Sequence, residues 1–80
     1  MDKKPEKRLP YLDVTEGDVV IFKKGTKEER VGYVHEKSRM FHKAFIVTWY
    51  DDPENKTMFS SRRTQQDLVK TGENINDEED

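Results

Sequence analysis

Lysine and arginine fall in the stretches that read as loops and strand ends: Lys23, Lys24, Lys27, Lys37, Arg39, Lys43, Lys56, Arg62 and Arg63. Tyr33, Phe41, Tyr50 and Phe59 are interleaved with them. Cations placed this way neutralise phosphates, and aromatic faces stack on unpaired bases for ~1–3 kcal/mol each. The residues expected to touch a partner are Lys37, Arg39, Met40, Phe41, Lys43, Tyr50, Arg62 and Arg63. Arg39-Met40-Phe41-His42 also supports a second chemistry. An apolar pair at a loop tip is costly to expose, and such patches mark protein contacts. Alternatively, Phe41 folds back as a lid over one end of the domain. Against polyanion binding stands the charge of the middle segment, Asp13 to Thr71, where eleven basic residues meet ten acidic ones. A nucleic-acid binder normally shows a basic bias.

Other groups capable of chemistry form no constellation. His35 and His42 lie seven residues apart in a chain without cysteine. A metal site needs three or four ligands in fixed geometry, and Glu36, Asp51 and Asp52 have no recognised spacing from these histidines. They read as surface histidines. Asp51, Asp52 and Glu54 are close enough for acid–base work or a divalent cation. Pro53 among them makes an ordinary solvated turn the better reading. Ser60, Ser61 and Thr64 stand beside Arg62 and Arg63 with no base placed near them. No glycine-rich loop cradles a phosphate. Neither an enzyme nor a cofactor or metal is expected.

The elements that would position the candidate residues are strands. Ala44 to Tyr50 is the longest run of strand-favouring residues, in a chain in which 40% of residues are charged. Alternation puts Phe45, Val47 and Trp49 on one face, taken as the core, and Ile46, Thr48 and Tyr50 on the other. Val19 to Lys23 and Arg30 to Glu36 are earlier strands, and Gly32 inside the second implies a bulge, a bend or the close approach of another backbone. Asp51 to Lys56 is a turn by composition. Thr57 to Ser60 is a short fourth strand. Ser61 to Gln66 suits one helical turn, and Asp67 to Lys70 a last strand or helix end stopped by Gly72.

Eighty residues hold one domain of small core. Residues 1–10 are a flexible basic arm, 11–72 the domain, and 73–80 a disordered acidic tail. The tail either keeps the chain soluble or competes with a polyanion for the basic loops. Met1 to Pro10 has no apolar stretch of signal-peptide type, and no segment reaches the ~20 apolar residues of a membrane span. A cytoplasmic monomer without membrane attachment is expected.

Four to five short strands separated by turns, without an amphipathic helix, point to a small all-β barrel. Gly17-Asp18-Val19-Val20, then Gly32-Tyr33-Val34, then Phe45-Ile46-Val47-Thr48-Trp49-Tyr50-Asp51-Asp52 resembles the small SH3-like barrels, including the KOW and Tudor-like domains. Asp67-Leu68-Val69 matches the Leu-Val pair such domains carry after a single helical turn, so the resemblance spans Val14 to Lys70. It implies an SH3-like fold of four to five antiparallel strands. A Tudor-type aromatic cage would draw on Trp49, Tyr50 and Tyr33. The expected function is non-catalytic binding to nucleic acid or a nucleoprotein assembly of transcription or translation. The alternative is a protein-interaction module, an adaptor or inhibitor of a larger cellular or host protein in bacteria or phage, using the Met40–Phe41 tip.

Overall fold

A computed structural model describes residues 12–39 and 43–77. The basic arm, the Met40–Phe41 tip with His42, and residues 78–80 lie outside the described residues. Five strands and one helical turn follow in the order β1 (Asp18–Phe22), β2 (Arg30–Lys37), β3 (Phe45–Trp49), β4 (Asp52–Phe59), α1 (Arg62–Gln65) and β5 (Leu68–Asn74). The strands form one unclosed antiparallel sheet, ordered β4-β3-β2-β1-β5. The chain is therefore all-β as expected, with β4 and β5 as the sheet's two edges.

One face of the sheet holds the core. Val14, Val20, Val34, Phe45, Val47, Trp49, Phe59 and Leu68 are buried together, with Leu12 and Phe22 packed against them. The alternation of β3 is the expected one: Phe45, Val47 and Trp49 point inward. Trp49 is 1% exposed. Its ring lies 5.7 Å from Phe22 and 6.0 Å, edge-on, from Phe59. Its indole N–H donates to Thr57 Oγ1 at 3.1 Å, so the one polar atom of the ring is satisfied. Phe59, expected among the exposable aromatics, is instead buried against Phe45.

Gly32 marks the close approach of another backbone. It pairs with Trp49 in the sheet. A Cβ on Gly32 would lie 2.5 Å from the carbonyl oxygen of Thr48 and 2.9 Å from the Trp49 ring. Gly17 serves the turn into β1 with φ 95°. Its N–H donates to the Val34 carbonyl, and its own carbonyl accepts from Ile75.

Two boundaries differ from the sequence reading. The stretch Asp52 to Lys56, expected as turn, belongs to β4. The register jumps from Thr48–Lys56 to Trp49–Asp52, so the residues between are looped out of the ladder. Pro53 is tolerated because β4 is an edge strand. Secondly, β5 does not stop at Gly72. Gly72 takes φ 93°, and the strand continues through Glu73 to Asn74, into the stretch expected as acidic tail. The reason is pairing: Asn74 sits opposite Asp18, and its side-chain amide donates to Asp18 Oδ1 at 2.9 Å.

Candidate functional site

The site is assembled where β2 ends, β3 begins and β4 ends. Ser38 N–H donates to the Ala44 carbonyl at 3.0 Å, closing the stem of the β2–β3 connection. Lys37 and Arg39 stand on one side of that stem and Lys43 on the other. Lys43 turns the chain into β3 with φ 60°. Its carbonyl accepts from Gln65 Nε2 at 2.9 Å. The other end of the same amide, Oε1, accepts from Leu12 N–H at 2.7 Å. Gln65 is 3% exposed, so one buried side chain ties three segments together.

Gln65 belongs to α1, which carries Arg62 and Arg63. The turn forms because Ser61 and Thr64 make a capping box. Ser61 Oγ accepts from Thr64 N–H, and Thr64 Oγ1 accepts from Ser61 N–H, each at 3.1 Å. These hydroxyls are thus structural. Through Gln65, Arg62 and Arg63 are held at the end of the sheet that carries Lys37, Arg39 and Lys43.

Beside this basic end lies a groove of ≈ 360 Å³ lined by Glu16, Glu36, Lys37, Ser38, Arg39, Ile46 and Met58. Its floor is a cross-strand row on the sheet's outer face, Glu36–Ile46–Met58. Simple alternation from Gly32 and Val34 would send Glu36 into the core. The register shift between Val34 and Glu36 adds one residue to β2 and brings Glu36 beside Ile46 on the outer face. Glu16 closes the rim from the turn before β1, and its Oε2 accepts from Lys37 N–H at 3.4 Å. Met58 is 41% exposed.

Of the nominated residues, Lys37 and Arg39 line the groove, Lys43 is tied through its carbonyl to the helical turn that carries Arg62 and Arg63, and Met40 and Phe41 fall outside the described residues. Tyr50 does not join them. It follows the far end of β3, 53% exposed, its ring 5.5 Å from Tyr33. That separates it from Lys43 by the length of a five-residue strand, roughly 17 Å. Sequence reasoning missed Glu16, Glu36, Ser38, Ile46 and Met58 as groove residues. Ile46 and Met58 carried a signal, since both alternate with core residues on their strands. Glu36 carried none, because the bulge that re-aims it is not written in local composition.

The remaining candidates have other roles. Asp51 accepts from Arg30 Nε at 3.3 Å and Nη2 at 3.1 Å, and the Arg30 guanidinium lies 4.6 Å over the Trp49 ring. That carboxylate holds a cation–π cover on the core. His35 lies 3.8 Å from Glu36. Among the described residues no three His, Asp or Glu groups converge as a metal site. Burial pushes the Asp18 carboxyl up. The Thr15 N–H, the Asn74 amide, Lys70 and Lys37 together outweigh burial and hold the carboxyl below its ordinary value near 3.8.

No protein-family model, curated protein or solved structure matches this chain. Its chemistry is therefore read from the geometry alone. Among the described residues no helix is long and apolar enough to cross a membrane.

Proposed function

We propose that the protein is a non-catalytic binding module that takes nucleic acid at its basic end, on a sheet curled in the manner of an SH3-like barrel. The observation that supports this reading is the placement of Lys37, Arg39 and Lys43 about the β2–β3 connection, to which the buried Gln65 amide ties the turn that carries Arg62 and Arg63. The near-neutral total conceals this asymmetry. The opposite end balances Lys23 with Glu28 and Arg30 with Asp51. Phosphates binding the basic end would displace condensed counterions, so affinity depends steeply on salt. The barrel-like curl is supported by the strand order, in which β5 returns beside β1, and by a core packed on one face.

Anisotropy of labelled single- and double-stranded oligonucleotides tests the reading. Contact with four to six phosphates lowers affinity by ~10²–10³ between 50 and 200 mM salt. A Lys43→Glu/Arg63→Glu variant should lose most binding at 50 mM salt. Absence of wild-type binding at 50 mM salt overturns the proposal.

A protein partner is the second reading, favoured by one feature. Val69, Ile21 and Val31 are direct cross-strand partners, and Tyr50 N–H donates to the Val31 carbonyl. An apolar row on the sheet's outer face ends in the exposed Tyr50 and Val69. Pull-downs comparing wild type with Tyr50→Ser/Val69→Ser decide it, since recovery of the same proteins by both removes this face as the contact.

A further inference from the structure

The groove beside the basic end has a composition that a phosphate site alone does not need. Lys37 and Arg39 stand on its rim with Glu16, and its floor sets a second carboxylate, Glu36, beside the apolar pair Ile46 and Met58. A phosphodiester would be repelled by the carboxylates and gains nothing from the floor. An apolar, polarisable floor suits a flat π face, and thioether sulfur packs well against aromatic rings. Ionised carboxylates only accept hydrogen bonds, so they select a group that presents donors. At ≈ 360 Å³ the groove is at the small end of ligand pockets, which start at about 300 Å³, and it holds one nucleotide-sized group.

Resting on the nucleic-acid reading above, we infer that this groove is a subsite for a single unpaired base whose Watson–Crick edge donates hydrogen bonds, guanine above all. The base lies on Ile46 and Met58, its edge faces Glu36, and its phosphate meets Lys37 and Arg39. Guanine offers N1–H and the N2 amino group side by side, which a carboxylate accepts as a pair. Adenine and cytosine offer one amino group beside an acceptor nitrogen. Thymine and uracil offer N3–H flanked by two carbonyl oxygens, which repel a carboxylate. A paired base has its Watson–Crick edge occupied, so the subsite selects single strands. Glu36 is the reader because the β2 bulge sets it beside Ile46 on the floor's own face. Glu16 is partly engaged by the Lys37 N–H, and His35 Nε2 stands 3.8 Å from the Glu36 carboxylate.

The test is anisotropy at 50 mM salt with a labelled thymidine octamer and the same octamer with one central guanine. The guanine octamer is expected to bind about tenfold more tightly or better, as one good bidentate base contact provides. Glu36→Gln should erase that gap without weakening the all-thymine octamer. The Glu36 side chain is 55% exposed, so the variant should melt as wild type does. Met58→Ser, also at an exposed position, should weaken the guanine octamer more than the all-thymine one. If neither octamer nor a duplex binds, the nucleic-acid reading itself fails, and if only a duplex binds, the base subsite is overturned while that reading stands. If both octamers bind without preference for guanine, or if Glu36→Gln keeps the preference, the base subsite is overturned while nucleic-acid binding stands.

Discussion

At the scale of single residues the fold depends on an absence at position 32 and a carboxylate at position 18. Gly32 lets β2 and β3 meet over Trp49, and the obstacle to any side chain there is a backbone oxygen, 2.5 Å from where Cβ would sit. A carbonyl in a paired strand has little room to withdraw. Gly32→Ala is therefore expected to cost about 1–3 kcal/mol, the range for overpacking a tight interior. Urea melts of the two proteins check this, and equal midpoints would mean that the strands separate freely. Asp18 gives a prediction in pH. Its carboxyl is held below its ordinary value in the fold, so the charged form is the one the fold favours. Its contribution is complete above about pH 4 and is lost as pH falls through the lowered folded value. Asp18→Asn should lower stability near neutral pH, where hydrogen bonds to the ionised group contribute ~1.5–3 kcal/mol each. It should also flatten the loss of stability below about pH 4. Thermal melts across pH 2.5 to 7 would show it, and parallel acid limbs would rule out Asp18 as their source.

At the scale of elements, α1 is too short to hold itself and is fixed by what its residues reach. Gln65 spends both ends of its amide, on Leu12 and on Lys43. Gln65→Met keeps the length of the side chain and removes both bonds. It leaves a part-buried N–H and a part-buried carbonyl without this partner and should cost about 1–3 kcal/mol. Hydrogen exchange should show the Leu12 amide losing protection ahead of the core strands, and unchanged exchange there would deny the clamp. This element also shows what sequence can and cannot disclose. The core face of β3 was legible, because Phe45, Val47 and Trp49 alternate with Ile46 and Thr48, but burial does not follow the alternation at Thr48, which is covered although it was expected on the other face. The helical turn was legible in Ser61 to Gln66. The start of β4 was not, because Asp52-Pro53-Glu54-Asn55 has turn chemistry, and although Asp52 pairs with Trp49 the three residues after it are looped out of the ladder. The end of β5 was hidden by Gly72, whose positive φ kinks the strand without ending it. At the site, Lys37, Arg39 and Lys43 were visible as neighbours in sequence. Their meeting with Arg62 and Arg63 depends on Gln65, which lies twenty-two residues from Lys43.

At the scale of the whole molecule, the net charge is −2, and acidic and basic groups meet at the end of the sheet that carries Lys37. β5 ends at Asn74 against the turn that carries Glu16, with Ile75 N–H bonded to the Gly17 carbonyl. Glu16 in turn accepts from the Lys37 N–H. The acidic run Asp77-Glu78-Glu79-Asp80 therefore begins at the same end of the sheet as Lys37. Exposed charges act on one another over about a Debye length, ~10 Å in 0.1 M salt. On the nucleic-acid reading proposed above, such a run would oppose a bound polyanion by simple repulsion, without a fixed contact. The combined substitutions Asp77→Asn, Glu78→Gln, Glu79→Gln and Asp80→Asn keep the chain length and remove the charge. We expect that variant to bind a single-stranded oligonucleotide more tightly at 50 mM salt. The advantage should shrink at 200 mM, where screening has already weakened the repulsion. Titrations of both proteins at the two salt concentrations measure this, and equal affinities at 50 mM would place the acidic run out of electrostatic reach of the basic end. An advantage that persists undiminished at high salt would point instead to steric blocking by the segment, because repulsion between exposed charges does not survive screening.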